Sequence, residues 1–558
     1  MDRLRRELGV PARFAEILLR RELGTAAGIR SFLVPHLDDL HDPFALPDME
    51  PAVDRIQRAI REGEPILVHG DYDADGMTAT ALLTLGLRRA GARVEPFVPH
   101  RTRDGYDLSE AGLEHAARAG CGLIVTADCG VTAVAAVARA VRRGMDVIVT
   151  DHHRPGPKLP PAVAVIDPLR EDSVYPFRGL AGVGVAFKLV RALFRKAGLG
   201  DEESNRHLDL VAIGTVADQM PLLDENRALV RGGLLALRRT DKPGLRALLA
   251  RAGLSGTAPV GAEDISFRLG PRLNSVGRMV AADPGLQLLL TEDEAEGRRL
   301  AAYLEKQNAD RRSMDRHVHA AVETRLADRF DPDRHRSVVV WGDEWHPGVI
   351  GIVASRLCEA YQRPAVVISF DGETGRGSGR SVPGFHLFRA LAELEPLLER
   401  FGGHRLAAGL TIRRDRIDEF ADRFEAIAAR ELVESPAAHD LPIDLELGLD
   451  EADAELEGWL ARLEPFGTEN PRPLLASRGV CLQRPGVVGP RGAHLRVELA
   501  SPGAEGKRLG GIGFGLGDQA EGLTPDVLWD IAFHLETNHW NGNAELQARI
   551  VDIRPAGT

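Results

Sequence analysis

Cysteine is scarce: four residues in 558, at 121, 129, 358 and 481, with no C-x-x-C pair among them. That usage argues against a disulfide framework and against a thiolate zinc site, and it points to a reducing, cytoplasmic setting. Aromatic residues make up only 5% of the chain, so base stacking on nucleic acid cannot be extensive. No apolar run approaches the roughly 20 residues a membrane-spanning helix needs, so no membrane partner is expected. The opening "MDRLRRELGVPARFAEILLRREL" is a charged amphipathic pattern without the apolar stretch of a secretory signal. A net positive charge is also missing. The net charge of −12 speaks against a protein that coats nucleic acid, but not against one that grips phosphates in a local groove, where a metal cluster and a few arginines supply the field.

What is present is 44% apolar and 27% charged residues, in a chain long enough for about three domains. Residues 1–50 read as a helical segment broken by "VPHLDDLHDPFALPD". From residue 65 to about 167, the apolar runs "PILVHGD", "RVEPFVPH", "GLIVTADCG", "DVIVTDHH" and "AVAVIDP" alternate with helical stretches. Continuous apolar runs of this length predict a parallel sheet covered on both faces. Residues 183–250 read as helical, and 292–328 as one long polar helix with apolar positions at 300, 304, 314, 318, 322 and 326, a bridge between domains. A second α/β unit begins at 337 and ends near 432, before the linker-like "LVESPAAHDLPIDLEL". The last 115 or so residues alternate in β fashion between Gly, Pro and Asn turns, which predicts five or six strands in a small closed barrel, OB-like being one candidate.

The stretch "PILVHGDYDADGMTATALL" (65–83) crowds His69, Asp71, Asp73 and Asp75 into one strand-to-helix turn. Two further strands end alike, at Asp128 and at Asp151, His152 and His153, and Asp218 closes a helical stretch in "GTVADQMPL". The carboxyl ends of parallel strands line one crevice, so these residues can meet in space. A single Asp after a strand is commonly just the N-cap of the next helix. Three such sites in one sheet, one of them D-x-D-x-D, favour metal instead. Carboxylates with imidazole and no thiolate suit Mn²⁺, Mg²⁺ or Fe²⁺, with imidazole tilting the balance from Mg²⁺ to Mn²⁺. Five or more ligands exceed the need of one ion, so two ions about 4 Å apart are expected.

"DYDADG", "ADCG", "TDHH" and "VADQMPL" resemble, in order and spacing, the motifs of the DHH phosphoesterase superfamily. Within it, "RLGPRLNSVGRM" (268–279), "HPGVIGIVASRL" (346–357), "GSGRSVPGFHL" (377–387), "FGGHRLAAGLTI" (401–412), "LEPFGTENPRP" (463–473) and "NHWNGNAELQARIVDI" (538–553) resemble the RecJ-type family of single-strand-specific 5′→3′ DNA exonucleases. The resemblance implies metal ligands at Asp73, Asp75, Asp128, His152 and Asp218, with Asp128 bridging. It offers His69 either as a further ligand or as a hydrogen-bond partner orienting an aspartate. Asp71 and His153 would sit beside the ions or on the substrate phosphate, His153 counting with the catalytic set. The Gly-rich turn "GETGRGSGRSVPG" could form an anion nest carrying Arg376, Ser378 and Arg380. By resemblance Ser378 and Arg380 would hold the 5′ end, His404 in "GGH" would belong to the substrate-binding DHHA1 signature, and Arg278 and Arg101 would contact the strand. Trp540 and Phe533 are candidate stacking platforms in the barrel, Phe533 being the better candidate for its core.

The implied architecture is α/β: a helical segment (1–50), a parallel-sheet DHH domain (51–290), a connecting helix (291–330), a smaller α/β DHHA1 domain (331–432) and an OB-like barrel (441–558). The implied activity is two-metal hydrolysis of single-stranded DNA from its 5′ end to mononucleotides, with Mn²⁺ or Mg²⁺. Recombination and mismatch repair, beside a helicase and a single-strand binding protein, are the implied setting. A phosphodiesterase for short oligonucleotides or cyclic dinucleotides is the rival in the same class, but such relatives generally stop before a barrel. A non-catalytic replication scaffold would have lost motif acids that are intact here, and a pyrophosphatase needs neither the long helix nor the barrel.

Overall fold

The apolar runs after residue 65 form five parallel strands: β1 (Pro65–His69), β2 (Arg93–Phe97), β3 (Leu123–Thr126), β4 (Asp146–Thr150) and β5 (Ala164–Ile166). They lie in the order β2-β1-β3-β4-β5. Every residue of β3 and β5 is buried, which is why these strands read as unbroken apolar runs rather than alternating ones. The chain steps from β1 outward to β2, then back across β1 to β3. Between β1 and β3 the winding therefore reverses, and a crevice opens at the carboxyl ends of the strands.

The computed structural model describes residues 2–557 apart from positions 22, 24, 102, 106, 257–258, 433–440, 504–506 and 541–542, and the side chains of 2–3, 328–329, 539–540 and 543 also lie outside the description. Half of the expected linker and the Trp540 side chain fall in these gaps. The chain folds as two units: Met1–Leu273 with Ala282–Ala301 and Leu441–Thr558, and Asn274–Ala281 with Ala302–Asp440.

In the first unit, three helices form the floor of the crevice: α1 (Ala74–Arg89), α2 (Gly182–Lys196) and α3 (Leu208–Ala217). Asp73 caps α1 by accepting from the Gly76 N–H at 3.0 Å, and Arg88 and Arg89 close its last turn, where the helix dipole favours cations. The three threonines of α1 are buried and return their hydroxyls to the carbonyls of Ala74, Gly76 and Thr80. Gly86 allows α1 to cross α2 closely, since a Cβ there would lie 2.6 Å from Val190.

The second unit has its own mixed sheet, ordered β6-β7-β8-β10-β9. Its strands are β6 (Val338–Asp343), β7 (Ala365–Asp371), β8 (Thr374–Arg380), β9 (Leu398–Gly403) and β10 (Ala407–Arg413). The long helix is continuous over Glu294–Arg329. Leu300, Leu304, Val318, Val322 and Leu326 on it are buried, whereas Met314 is exposed.

The C-terminal segment of the first unit contains β11 (Leu445–Glu446), β12 (Leu475–Val488), β13 (His494–Ala500), β14 (Arg508–Gly513), β15 (Leu528–Trp540) and β16 (Asn543–Pro555). The sheet order β12-β13-β14-β16-β15 closes through β12–β15 pairing, and β14 and β16 run parallel. This is a five-stranded closed barrel with the connectivity of an OB-fold, and closure removes its edges. Phe533 is fully buried inside it and serves as core. The helices Ala12–Arg20 and Ala26–Leu33 share that core through Phe14, Ile17, Leu18 and Ile29. Arg227, 1% exposed, ties the parts of this unit together by donating to the carbonyls of Phe32 (2.6 Å), Glu464 (2.7 Å), Arg462 (3.3 Å) and Pro465 (3.5 Å).

Candidate metal centre

The strand ends bring the predicted acids together. Ligand atoms lie within 4.8 Å of one another in each of three sets: Asp71, Asp73 and Asp128; Asp75, His152 and Asp218; Asp128, His152 and His153. Asp128 and His152 each belong to two sets. The Asp128 backbone has φ +63°, a left-handed value that Asp tolerates better than most residues and that turns the chain sharply after β3. His152 Nε2 lies 3.0 Å from Asp128 Oδ1, 3.6 Å from Asp218 Oδ2 and 3.9 Å from Asp75 Oδ2.

Each side chain is held by a local device. Asp75 accepts from the N–H groups of Gly182 (2.8 Å) and Val183 (2.9 Å) in the first turn of α2, where unpaired donors are available. Gly182 itself leaves room for Asp128, because a Cβ there would lie 2.4 Å from Asp128 Oδ1. His153 Nδ1 is 2.7 Å from Asp151 Oδ1. Asp151 also accepts from the N–H groups of Val131, His152 and His153, so it fixes the whole loop after β4.

The electrostatics call for a cation. Burial raises the carboxyls of Asp71 and Asp128 well above the ordinary range, and neighbouring aspartates add to the rise. Asp75 is raised chiefly by burial, and burial with Asp75 nearby pushes Asp218 up to about 7. Burial works against a charged His153, but the hydrogen bond and charge of Asp151 raise it to about 9. Among the described residues Asp71 Oδ1 is buried without a hydrogen-bond partner, and Asp128 Oδ1 is buried with only the His152 ring nitrogen at 3.0 Å beside it. Buried carboxylate oxygens facing one another, with imidazole beside them, fit a pair of hard-to-borderline divalent ions.

His69 corrects the sequence reading of it as a ligand. It ends β1 fully buried, with Nε2 3.1 Å from Ser109 Oγ and Nδ1 3.9 Å from Cys129 Sγ, and burial lowers its pKa to about 4. Strand alternation sends its ring beneath the sheet against Phe97, away from the carboxylate cluster. Two residues went unassigned by sequence reasoning. Asp151 orients His153, and Asp167, just beyond β5, is fully buried and raised by burial to about 7. Its signal was available: it is a fourth Asp at the end of a parallel strand.

Arg101 belongs to this crevice, with its guanidinium 5.2 Å from the Tyr72 ring centroid. Arg278, Arg376, Ser378, Arg380 and His404 lie in the second unit. The expected anion nest there is corrected by the sheet. Thr374–Arg380 is strand β8, paired on both sides, so its backbone N–H groups serve the ladder. Gly375, Gly377 and Gly379 face the core, where a Cβ would meet Phe370, Leu410 and Leu387, and Arg376, Ser378 and Arg380 take the other face. Arg380 Nη1 donates to Ser378 Oγ at 3.1 Å. Arg278 donates to Gly348 O at 3.5 Å, and His404 is exposed in the β9–β10 turn with its N–H on Ala407 O at 2.7 Å.

A doubly wound sheet with acids and imidazoles at its switch point, followed by a mixed-sheet unit and an OB-type barrel, defines a phosphoesterase of the DHH class. The DHH family N-terminal domain matches residues 65–215, the DHHA1 domain residues 335–430 and the RecJ OB domain residues 443–552. The chain is 37% identical over 552 residues to the single-stranded-DNA-specific exonuclease RecJ of Bacillus subtilis (strain 168), covering 98% of this chain and 69% of that protein. To the protein of the same name from Escherichia coli (strain K12) it is 38% identical over 532 residues, 91% of each chain. The crystal structure of RecJ in complex with Mn²⁺ from Thermus thermophilus superposes with a TM-score of 0.83 at 34% identity, over 99% of this chain and 77% of that one. The chain belongs to the RecJ family.

Proposed function

We propose that the protein is a metal-dependent exonuclease that hydrolyses single-stranded DNA from its 5′ end and releases 5′-mononucleotides. The observation that carries this reading is the convergence of five aspartates and two histidines at the switch point, with the buried Asp71 Oδ1 left without a hydrogen bond and Asp128 Oδ1 facing His152 Nε2. Asp73, Asp75, Asp128, His152 and Asp218 would hold two Mn²⁺ or Mg²⁺ ions, with Asp128 common to both; the Thermus relative was crystallised with Mn²⁺. Bound there, such ions would activate water and offset charge on the phosphoryl oxygens.

The chain's own residues supply the rest. Asp151 holds His153 charged and oriented toward the cluster, where it can donate to a phosphate oxygen. The Gly182 and Val183 N–H groups fix Asp75, so the cluster keeps its shape without relying on a bound strand. Arg101 and Arg278 are the proposed backbone contacts, and Ser378, Arg380 and His404 the proposed recognition of the 5′ end. The barrel suits a single strand because OB-type barrels present a groove for the backbone. In this reading residues 51–290 are catalytic, 291–330 connect, 331–432 bind the substrate end, 441–558 guide the strand, and 1–50 buttress the barrel. The expected setting is cytoplasmic DNA repair and recombination beside a helicase and a single-strand binding protein; among the described residues no helix is long and apolar enough to cross a membrane.

The test is digestion of a single strand labelled at either end in the presence of Mn²⁺. The 5′ label should leave first, as mononucleotide. Release of the 3′ label first, or of long fragments, contradicts the reading.

A further inference from the structure

The second unit contains a cavity of about 790 Å³ that the proposed chemistry does not use. It opens where β6 and β7 end and β8 begins, against the Met314–Val318 turns of the long helix. That volume lies within the range of small-molecule sites. Its apolar lining is Trp345, 5% exposed, with Met314 as one wall, on the face of the sheet that carries Arg376; the Phe370 ring packs on the opposite face. Trp345 is held at its backbone and flanked at its ring. Ser369 Oγ donates to its carbonyl at 2.5 Å, and the Arg325 guanidinium sits 5.2 Å from its centroid.

Both basic and acidic side chains line the mouth. Arg376 and His317 line it, and among the described residues the side chain of neither has a hydrogen-bond or ion-pair partner. His346 keeps Nδ1 on the Gly348 N–H at 3.0 Å, which leaves its other ring nitrogen as a donor. Glu344 and Asp371 stand on the same rim as acceptors. Arg376 precedes Arg380 by four residues on one strand, about 13 Å, so this mouth is separate from the Ser378–Arg380 pair.

We propose that this cavity binds one nucleoside 5′-monophosphate, the chemical class released by the exonuclease reading on which this inference rests. The apolar lining takes the base, Arg376 and His317 take the phosphate, and the two rim carboxylates accept from exocyclic amine or sugar hydroxyl. The same carboxylates set an upper limit on ligand charge. A triphosphate would bring further negative charge to a mouth with a single arginine, so monophosphates are preferred.

The test is calorimetric titration of the full chain in EDTA with dAMP, so that neither hydrolysis nor metal contributes. Met314→Trp and Ser313→Trp both replace exposed residues and fill the cavity, and each should weaken one class of dAMP sites at least tenfold or so while the thermal unfolding profile is kept. Arg376→Ala should weaken the same class by about tenfold or more. A second class, if the 5′-end pocket also takes dAMP, should respond to Arg380→Ala instead. dATP should bind the cavity class about tenfold more weakly than dAMP. The inference is overturned if both cavity-filling variants keep the parent isotherm, or if dATP binds as well as dAMP. Failure of the exonuclease reading shows separately, as an undigested end-labelled strand with the dAMP isotherm unchanged.

Discussion

Removing divalent ions should make the protein sensitive to alkali, and Asp218 sets the scale. Its carboxyl lies at about 7 against an ordinary 3.8, raised by burial and then by Asp75. Below 3.8 it is protonated in the folded and unfolded chain alike, and its full contribution to stability is present. As pH rises through about 7 the folded protein must ionise it among other carboxylates, and the contribution is lost. The displacement corresponds to about 4 kcal/mol at 1.36 kcal/mol per pH unit. The side chain is 32% exposed, and screening reduces this to about 2 kcal/mol. For a unit of about 400 residues that is about 2 °C in Tm. Thermal unfolding in EDTA between pH 5 and 8 should therefore show a falling Tm, and Asp218→Asn, which keeps the neutral form, should fall less. Mn²⁺ should restore more at pH 8 than at pH 5, because protons compete with it for the same oxygens. If Asp218→Asn falls as steeply as the parent, or Mn²⁺ stabilises equally at both pH values, the cluster does not hold the cation.

Asp75→Ala and His152→Ala should each lower hydrolysis by about a hundredfold or more while folding and strand binding persist; rates within tenfold of the parent would remove both from the metal set. Mn²⁺ should support faster initial rates than Mg²⁺, and Ca²⁺ should permit binding without cleavage, because imidazole suits Mn²⁺ and Ca²⁺ adopts looser geometry; equal rates with all three ions would contradict a histidine ligand. Arg380→Ala should lose roughly ten- to a hundredfold in affinity for 5′-phosphorylated strands and much less for 5′-hydroxyl ones, and an equal loss for both makes it a general backbone contact. Arg227→Ala, which strands the carbonyls of Phe32, Arg462 and Glu464, should destabilise the first unit by about 3 kcal/mol or more in urea unfolding; a change under about 1 kcal/mol would show that water replaces the guanidinium.

Legibility followed the strength of the local signal. The parallel strands were readable because burial on both faces leaves continuous apolar runs, and the acids because they close those runs. The long helix was readable from its spacing, apart from Met314, which is exposed. The role of His69 stayed open in the sequence because a motif records sequence order but not the face of the strand. One step of alternation turns its ring toward Ser109 and Cys129. The Gly-rich segment looked like a turn because glycine usually marks one. Here glycine at every second position lets Phe370, Leu410 and Leu387 pack against a central strand, a tertiary cause with no local trace. The sharing of one core by Phe14 and Phe533, more than 500 residues apart, is likewise invisible to any window along the chain.

A cluster of carboxylates around two ions has little sense of direction, since attacking and leaving oxygens are treated nearly alike. Any preference for one end of a strand must come from groups that recognise that end. In this chain the two kinds of group are segregated. Every candidate ligand lies between residues 71 and 218, in the first unit, whereas Ser378, Arg380 and His404 lie in the second. Their mounting differs as well. Asp73 and Asp75 are held by helix N-terminal amides, and Asp151 holds the backbone of His152 and the ring of His153. Arg380 leans on Ser378, beside which a Cβ added to Gly351 would lie 3.1 Å from the Ser378 hydroxyl, a packing that shapes a pocket without building a metal site. On the proposed assignment polarity and chemistry depend on different side chains, and substitutions at Ser378 or Arg380 should change which end is chosen while the metal cluster stays intact.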